Sequence, residues 1–300
     1  MLHVHRSERA DALVSMLAEL VAVPLADPIV PEVVSVPTQG IERWLTQRLA
    51  GHLGAQEGRH DGVCANVEFP FPGALVNEAL AAASGTDPES DPWVPERAVW
   101  PLMELVEEHF DDEWMAPLAQ HIRKSRTVEG SKRFSSIRHV ADLFDRYAVH
   151  RPDMLQRWAE GRPQLGEDPW QFELWSRLRA RIGRPSPAER LRDACGRLRK
   201  ERELVDLPPR LSLFGLTRLP ASYLDVLEAM GAKRDVHLFL LHPSPVLWQR
   251  MAPLVDSSSR HVLRRLAATG GYRRRIRGPS QRHLHRLSIG PSHGLACGER

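Results

Sequence analysis

Two stretches in which strand and helix patterns alternate constrain the fold of this 300-residue chain more than any other feature. In the first stretch, residues 2–5 alternate apolar and polar side chains, and strand signals return at 33–37 and 63–69. Between these segments, apolar residues recur at helical spacing over 13–21 and 41–49. Because parallel strands need crossover connections of this length, the pattern predicts an α/β fold in which helices cover a parallel sheet.

A break in composition separates this stretch from a helical one. Asp, Ser, Thr and Pro predominate between residues 85 and 95, which indicates a boundary. Beyond it, apolar residues recur at helical spacing, and one helix has a complete start signal. Ser186 is its cap, Pro187 occupies the first helical position, and Glu189 can close a capping box. We therefore predict a run of helices after the boundary.

The second alternating stretch lies downstream of these helices. Strand patterns at 211–215 and 235–240 flank a helical pattern at 220–230, which predicts that the sheet resumes. The sequence thus predicts four segments: the first part of an α/β domain at 1–90, a helical insertion subdomain at 91–205, a return to the α/β domain at 206–255, and an Arg-rich tail at 256–300.

The formal net charge of +3 hides two regions of opposite sign. Residues 260–300 contain ten arginines and one acidic residue, Glu299, so they carry +9 and leave −6 for residues 1–259. The net negative charge of residues 1–259 does not attract DNA, so any DNA binding by these residues must come from a local arrangement of charge. Beyond residue 256 there is no lysine and no sustained periodicity, which predicts a disordered tail or a shifted reading frame.

The residues that several enzyme classes need are missing from the sequence. A P-loop enzyme requires a Gly-rich loop ending in Gly-Lys-Ser/Thr after its first strand, and no such motif occurs, so we exclude ATP hydrolysis by this chain. The acidic run at 107–113 is interpreted as a solvated helix end rather than a two-metal site. Three dispersed cysteines (Cys64, Cys195 and Cys297) predict neither a disulfide framework nor a zinc site. We therefore predict no catalytic residue, metal site or cofactor.

The apolar segments also bear on the location of the protein. The longest of them are too short or too interrupted to span a bilayer, and Met1 opens directly into a strand pattern rather than a signal peptide. We therefore expect a cytoplasmic protein that does not bind a membrane.

A charged helix predicted over 136–150 carries the clearest candidate site. Arg138, Asp142 and Arg146 lie four residues apart on one face, with Asp145 beside them. One interpretation is an intrahelical charge ladder worth about 0.2–0.5 kcal/mol per pair. The other is a polar strip that contacts the bases and phosphates of a single strand. The periodicity alone favours the charge ladder, because charge on an exposed face is the common case, and leaves the polar strip as the alternative.

Four short motifs occur in a fixed order along the chain. They are VPTQGIERWL at 36–45, ANVEFPFP at 65–72, ADLFDRY at 141–147 followed by RPD at 151–153, and LFGL at 213–216 followed by LP, YL and HL at 219–220, 223–224 and 237–238. Together these motifs resemble the RecC family over about residues 1–250.

The resemblance implies a fold and a role. The implied fold is a superfamily 1 helicase-like, RecA-like α/β domain that has lost its P-loop and contains an inserted all-helical subdomain. Members of the family are the non-motor subunit of the RecBCD helicase–nuclease, exodeoxyribonuclease V, in which the RecB and RecD partners use ATP and Mg²⁺. They help to split double-stranded DNA ends, guide the 3′ single strand and scan it for the sequence Chi during double-strand-break repair by homologous recombination.

The resemblance also implies a surface that scans single-stranded DNA. Asp142, Leu143, Asp145 and Arg151 match the family's pattern directly, and Arg146 lies on the same charged helix. At the corresponding places in the earlier motifs the chain departs from the best-known version, with Pro37, Gln39, Arg43, Phe71 and Asn77. The sequence recognised is therefore expected to differ or to be absent. Phe71 either stacks on a base or packs within its turn.

Two other interpretations stay open. Family members are several-fold longer than this chain, which points to a frameshifted or truncated gene. On one alternative, the chain is a scaffold fragment that contacts RecB only and has no affinity for single-stranded DNA. On the other, it is a stand-alone nucleic-acid binder whose steeply salt-dependent binding is lost when residues 260–300 are deleted.

Overall fold

The computed structural model describes residues 1–54, 62–124, 131–217 and 219–241, together with Ser244 and Val246. The strands in these ranges are β1 (Leu2–Ser7), β2 (Glu32–Ser35), β3 (Val67–Glu68), β4 (Arg210–Phe214) and β5 (Asp235–Leu241). The α-helices are α1 (Ala10–Val21), α2 (Gln39–Ala50), α3 (Pro72–Ser84), α4 (Pro95–Glu108), α5 (Ala116–Lys124), α6 (Ser131–His150), α7 (Pro152–Ala159), α8 (Pro169–Ile182), α9 (Pro187–Lys200) and α10 (Ala221–Gly231). Two short 3-10 turns cover Glu113–Met115 and Arg202–Leu204.

The five strands form one parallel sheet in the order β1-β5-β4-β2-β3. The first alternating stretch supplies β1, β2 and β3, and the second supplies β4 and β5. Helical connections join successive strands, as parallel pairing requires. The prediction of an α/β fold with a parallel sheet is therefore confirmed. None of the helices in the described ranges is long and apolar enough to cross a membrane.

Helices cover both faces of the sheet. Side chains alternate between the faces, so Val34, Phe214 and Phe239 pack with the buried leucines of α1 and α2 on one side. On the other side, Leu213 and Leu238 pack with α3, α9 and α10. Burial on both faces is typical of parallel sheets and explains why the strands of the second stretch are so apolar.

A separate hydrophobic cluster fills the helical part of the chain. Its centre is Trp175, whose ring lies 5.9 Å from those of both Trp93 and Trp158. Helices α4 to α8 supply most of the other buried side chains, which confirms the predicted run of helices. Helix α9 differs, because Leu191 and Leu198 pack with the sheet instead. The division of the chain into domains stays a prediction.

Three segments differ from the sequence-based prediction. The strand predicted at 63–69 is reduced to β3, because Asn66 adopts a positive φ of 54° just before it. The Asn66 amide nitrogen also lies 3.2–3.3 Å from three successive backbone carbonyl oxygens, those of residues 28–30. The charged helix begins at Ser131 rather than at 136. Helix α3 has no counterpart in the prediction, since its alanine-rich sequence gives little contrast between its faces.

One arginine joins two strands to the end of a helix. The Arg210 guanidinium donates from Nε to Glu32 Oε2 at 3.1 Å and from Nη2 to Glu32 Oε1. Its Nη1 and Nη2 also donate to the carbonyl oxygens of Leu20 and Val23, at 2.9 and 2.8 Å. Only 12% of the Arg210 side chain and 13% of the Glu32 side chain are exposed. This nearly buried pair therefore fixes the amino ends of β2 and β4 against the end of α1.

Three histidines stack across β1 and β5. The His237 ring lies 4.4 Å from that of His3 and 5.3 Å from that of His5, and His237 Nδ1 is 3.0 Å from His5 Nε2. The pKa of His237 is lowered to about 3, chiefly because burial disfavours the charged ring and also because charge on His3 or His5 would repel it. The carboxylate of Asp235 acts in the opposite direction. His237 is therefore buried in its neutral form.

We expect this histidine to make the fold sensitive to acid. Between its folded pKa of about 3 and the ordinary value of 6.5, the unfolded chain binds a proton that the folded chain does not. The stabilising effect of neutral His237 is therefore complete above pH 6.5 and is lost as the pH falls toward 3. Chemical denaturation at several pH values across this range gives the slope of the unfolding free energy against pH. This slope should be smaller in His237→Leu than in the wild type, by the equivalent of up to one bound proton. An equal slope in both proteins would contradict the assignment.

Candidate nucleic-acid interface

The carboxyl ends of β2, β3 and β4 meet at one edge of the sheet. From β2 the chain continues to β3 on one side, and from β4 it continues to β5 on the other. The order of strands therefore reverses between β2 and β4. In open parallel sheets, ligands bind in the crevice outside the carboxyl ends of the strands at such a reversal. We call this part of the molecule the carboxyl edge; the turns after β2 and β3 carry the first candidate residues.

The turn after β2 is short and ends in a helix cap. Thr38 Oγ1 accepts a hydrogen bond from the Ile41 N–H at 3.2 Å, which satisfies one of the unpaired donors at the start of α2. Gln39 and Arg43 follow on α2, one turn apart, and both are exposed. Within the described ranges, no carboxylate lies at ion-pair distance from Arg43. The amide of Gln39 and the guanidinium of Arg43 are thus available to a ligand.

The turn after β3 presents Phe71 between two prolines. Its side chain is 45% exposed and does not belong to any of the hydrophobic clusters formed by the described residues. The preceding carbonyl, that of Pro70, accepts a hydrogen bond from the Val36 N–H at 3.2 Å, which ties this turn to the exit of β2. Gln39 and Phe71 therefore lie on neighbouring turns of the same edge.

Helix α10 connects the carboxyl edge to the charged helix α6. At the exit of β4, Gly215 has a φ of 73°, and a Cβ there would lie 3.5 Å from Ile41 Cδ1 at the start of α2. The Tyr223 hydroxyl of α10 lies 3.3 Å from the place that a Cβ on Gly73 of α3 would occupy. Ser222 Oγ donates to the Val149 carbonyl of α6 at 2.6 Å. The N-terminal turn of α10 thus touches both α3 and α6.

Tyr223 is the residue that sequence reasoning missed. Burial raises the pKa of its phenol, and the negative charge of Asp145 on α6 raises it further. Tyr223 occurs within the last of the four motifs, and this position was the only feature of the sequence that pointed to it. Its proximity to Gly73 and Asp145 depends on how α3, α6 and α10 pack together, which spacing along the chain does not reveal.

Of the two pairs in the predicted charge ladder on α6, Arg138–Asp142 forms, and Asp142–Arg146 does not form among the described residues. Arg138 donates from Nε to Asp142 Oδ1 at 3.2 Å and from Nη2 to Glu96 Oε1 of α4 at 2.6 Å. The bond from Arg138 lowers the pKa of Glu96. The pKa of Asp145 is raised, first by desolvation and then by the negative charges of Asp142 and Glu96. Arg146 is exposed and, in the part of the chain that the structure describes, has no carboxylate at ion-pair distance.

Arg151 lies just beyond the end of α6, in the turn that starts α7. Its guanidinium carbon is 5.6 Å from the centre of the Tyr147 ring, a cation–π contact. The Tyr147 hydroxyl donates to Gln171 Oε1 at 2.8 Å, so the ring beneath the arginine is held in place. Leu143 is half-buried, one helical turn before Tyr147. Arg146 and Arg151 thus both present an exposed guanidinium at this end of α6.

The structure therefore arranges the candidate residues in two groups. Gln39 and Phe71 lie at the carboxyl edge, with Arg43 one turn further along α2. The second group lies on and after α6, and α10 packs between that helix and α3: Asp142, Leu143, Asp145, Arg146 and Arg151. Guanidinium groups, an amide and an exposed aromatic ring are the groups that contact the phosphates and bases of single-stranded nucleic acids.

The acidic run that begins in the last turn of α4 is paired with basic side chains. Four carboxylates of residues 107–112 contact Arg133, Arg181, Arg123 and His109, at 2.5–3.3 Å. Helix α4 ends within the run, at Glu108, which confirms the prediction of a helix end. Among the described residues, no group of three His, Cys, Asp or Glu side chains could hold a metal ion. The Arg-rich tail lies outside the described residues.

The fold and these surfaces define a parallel α/β protein whose short strand-to-helix turns lack the phosphate-binding glycine loop and carry polar and aromatic side chains instead. Residues 2–274 match the family model described as RecC, N-terminal domain. The chain belongs to the RecC family. The match continues beyond residue 250, so the end point inferred from the four motifs is wrong.

Curated relatives agree with this membership. The chain is 40% identical over 282 residues to the RecBCD enzyme subunit RecC of Mycolicibacterium smegmatis, covering 90% of this chain and 24% of that protein. It is 40% identical over 261 residues to the same subunit of Mycobacterium tuberculosis, covering 84% and 23%. For Escherichia coli RecC the identity is 29% over 260 residues, covering 83% and 22%. The chain thus spans about a quarter of the length of these relatives.

Proposed function

We propose that this chain is the N-terminal part of the non-motor, DNA-handling subunit of a RecBCD-type helicase–nuclease. It assembles with RecB and RecD subunits, receives double-stranded DNA ends and guides the 3′ single strand during double-strand-break repair by homologous recombination. The match to the RecC family model over residues 2–274 carries this proposal. ATP and Mg²⁺ act in the partner subunits, and this chain contributes binding surfaces and no cofactor of its own. We expect the complex to be cytoplasmic.

The proposed origin of the α/β part is a helicase-like, RecA-like domain that has lost its P-loop. The parallel sheet and the strand-order reversal between β2 and β4 support this origin. The turns after β1 and β2 are only two and three residues long and include Arg9 and Thr38. They lack the successive glycines whose amides surround a triphosphate. Helices α4 to α8, which share one hydrophobic cluster, form the proposed inserted subdomain.

The proposed path of the single strand follows the carboxyl edge and α6. Arg43, Arg146 and Arg151 contact phosphates, because they are exposed cations with no carboxylate partner among the described residues. Phe71 stacks on a base. The remaining polar and apolar contacts, which on this proposal read the Chi sequence, come from Gln39, Asp142, Leu143 and Asp145.

Co-expression with the RecB and RecD subunits of the same organism tests this role. Size-exclusion chromatography should show a complex that contains this chain, and the complex should bind a 3′-tailed duplex more tightly than RecB and RecD alone. A complex without that gain in affinity supports the scaffold alternative. Binding that disappears on deletion of residues 260–300, while assembly persists, supports the tail as the nucleic-acid binder. Failure to assemble contradicts the proposal.

A further inference from the structure

Two large aromatic side chains are exposed where α4 and α6 pack together. Trp100 is 59% exposed and Phe134 is 38% exposed, and their ring centres are 5.9 Å apart at an angle of 46°. Burying such side chains stabilises a fold by about 1.5–3 kcal/mol each. This pair remains in contact with solvent, although α4 and α6 both contribute buried side chains to the cluster around Trp175.

The pair continues the charged face of α6. Phe134, Arg138, Asp142 and Arg146 follow one another at intervals of four residues, which places them along one ridge of the helix. At a rise of about 1.5 Å per residue the ridge is roughly 18 Å long. The aromatic pair stands at one end of this ridge, and the exposed guanidinium of Arg146 stands at the other.

The charges beside the rings are paired with one another. Arg138 connects Glu96 and Asp142, Arg133 Nη2 lies 3.3 Å from Glu107, and Arg181 contacts Glu104 and Glu108. Three arginines therefore share five carboxylates, which leaves a local charge of −2 but a weaker repulsion of a nucleic-acid strand than five unpaired carboxylates would exert. The Arg138 guanidinium is also held in one position, next to Phe134 on the ridge.

We propose that Trp100 and Phe134 form a stacking platform for an unpaired base of the single strand, at the far end of the α6 ridge from Arg146. This inference rests on the proposed function and extends the strand's path beyond the residues inferred from the motifs. The platform accepts any base, because every base has a π-face. The size of the patch favours a base over a protein. Among the described side chains of α4 and α6, no other large apolar one is as exposed, and a stable protein interface needs about 800 Å² on each partner.

Substitutions at Trp100 distinguish stacking from simple apolar contact. In the full chain, Trp100→Leu keeps an apolar side chain but removes the ring, whereas Trp100→Phe keeps a ring. Fluorescence anisotropy with a labelled oligothymidylate should show affinity lowered about five- to a hundredfold by Trp100→Leu and little changed by Trp100→Phe. The matched control is Leu165→Ala, which removes a fully exposed apolar side chain elsewhere and should leave the affinity unchanged.

Salt dependence and abasic DNA give independent readouts. Stacking releases no counterions, so the slope of log affinity against log salt should be the same in Trp100→Leu and the wild type. An abasic oligonucleotide should bind the two proteins equally. If Trp100→Leu binds the oligothymidylate as tightly as the wild type, while Arg146→Ala weakens it, the platform is refuted and the proposed function stands. If the wild type, alone and assembled with its partners, has no affinity for single-stranded DNA, both are refuted.

Discussion

Replacement of Arg210 by methionine is expected to lower the free energy of unfolding by about 3 kcal/mol or more, because it leaves a nearly buried carboxylate without its partner. The side chain of Glu32 is only 13% exposed, and Arg210 supplies both of its hydrogen bonds. The carbonyl oxygens of Leu20 and Val23 would lose a donor as well. Chemical denaturation followed by circular dichroism measures the change.

A surface arginine provides the matched control for this prediction. Arg181 also contacts two carboxylates, Glu104 and Glu108, but these are 63% and 51% exposed. Arg181→Met should therefore cost no more than about 1 kcal/mol. The double variant Glu32→Met with Arg210→Met should be less destabilised than Arg210→Met alone, since it buries no uncompensated charge. Equal effects of Arg210→Met and Arg181→Met would show that the pair does not anchor the sheet.

Removing Arg146 and Arg151 together should weaken binding of single-stranded DNA roughly tenfold near physiological salt. Both guanidinium groups are exposed at the end of α6, and neither has a carboxylate at ion-pair distance among the described residues. Each phosphate contact on a single strand contributes about 0.7 to the slope of log affinity against log salt. The double alanine variant should therefore have a slope less steep by about 1.4.

Changing the same number of charges elsewhere controls for the net charge of the protein. Arg192 and Arg199 are exposed on α9, outside the proposed path. Alanine at both positions should leave the affinity within about twofold of wild type, because a charge outside the contact surface is largely screened at physiological salt. If both double variants lose affinity equally, the arginines act through the bulk field alone, and the assigned path is wrong.

The sequence was sufficient to predict the sheet and most of its helices. Apolar runs at 211–215 and 235–240 identify β4 and β5, because strands buried on both faces contain few polar residues. The third strand was overestimated, since its pattern continues through Asn66, whose positive φ and side-chain hydrogen bonds end the pairing. Such local backbone geometry is not visible in the periodicity of side chains.

The candidate site was less accessible to sequence reasoning. The charged face of α6 follows directly from four-residue spacing, but the second partner of Arg138 is Glu96, which lies 42 positions away on α4. The exposure of Trp100 could not be predicted from the sequence either. Trp100 lies in the amphipathic sequence of α4, but its ring is outside the core. Contacts between distant segments depend on packing, which the periodicity of a sequence does not specify.

The proposed path takes the single strand along the carboxyl edge and the α6 ridge. Photo-crosslinking can map this path, with 5-bromodeoxyuridine placed at successive positions of a 3′ tail bound to the complex with RecB and RecD. Mass spectrometry should then find crosslinks in peptides that contain Phe71 and in peptides from 134–151, at different positions of the tail. Crosslinks confined to residues 260–300, or to the partner subunits, would contradict the claim.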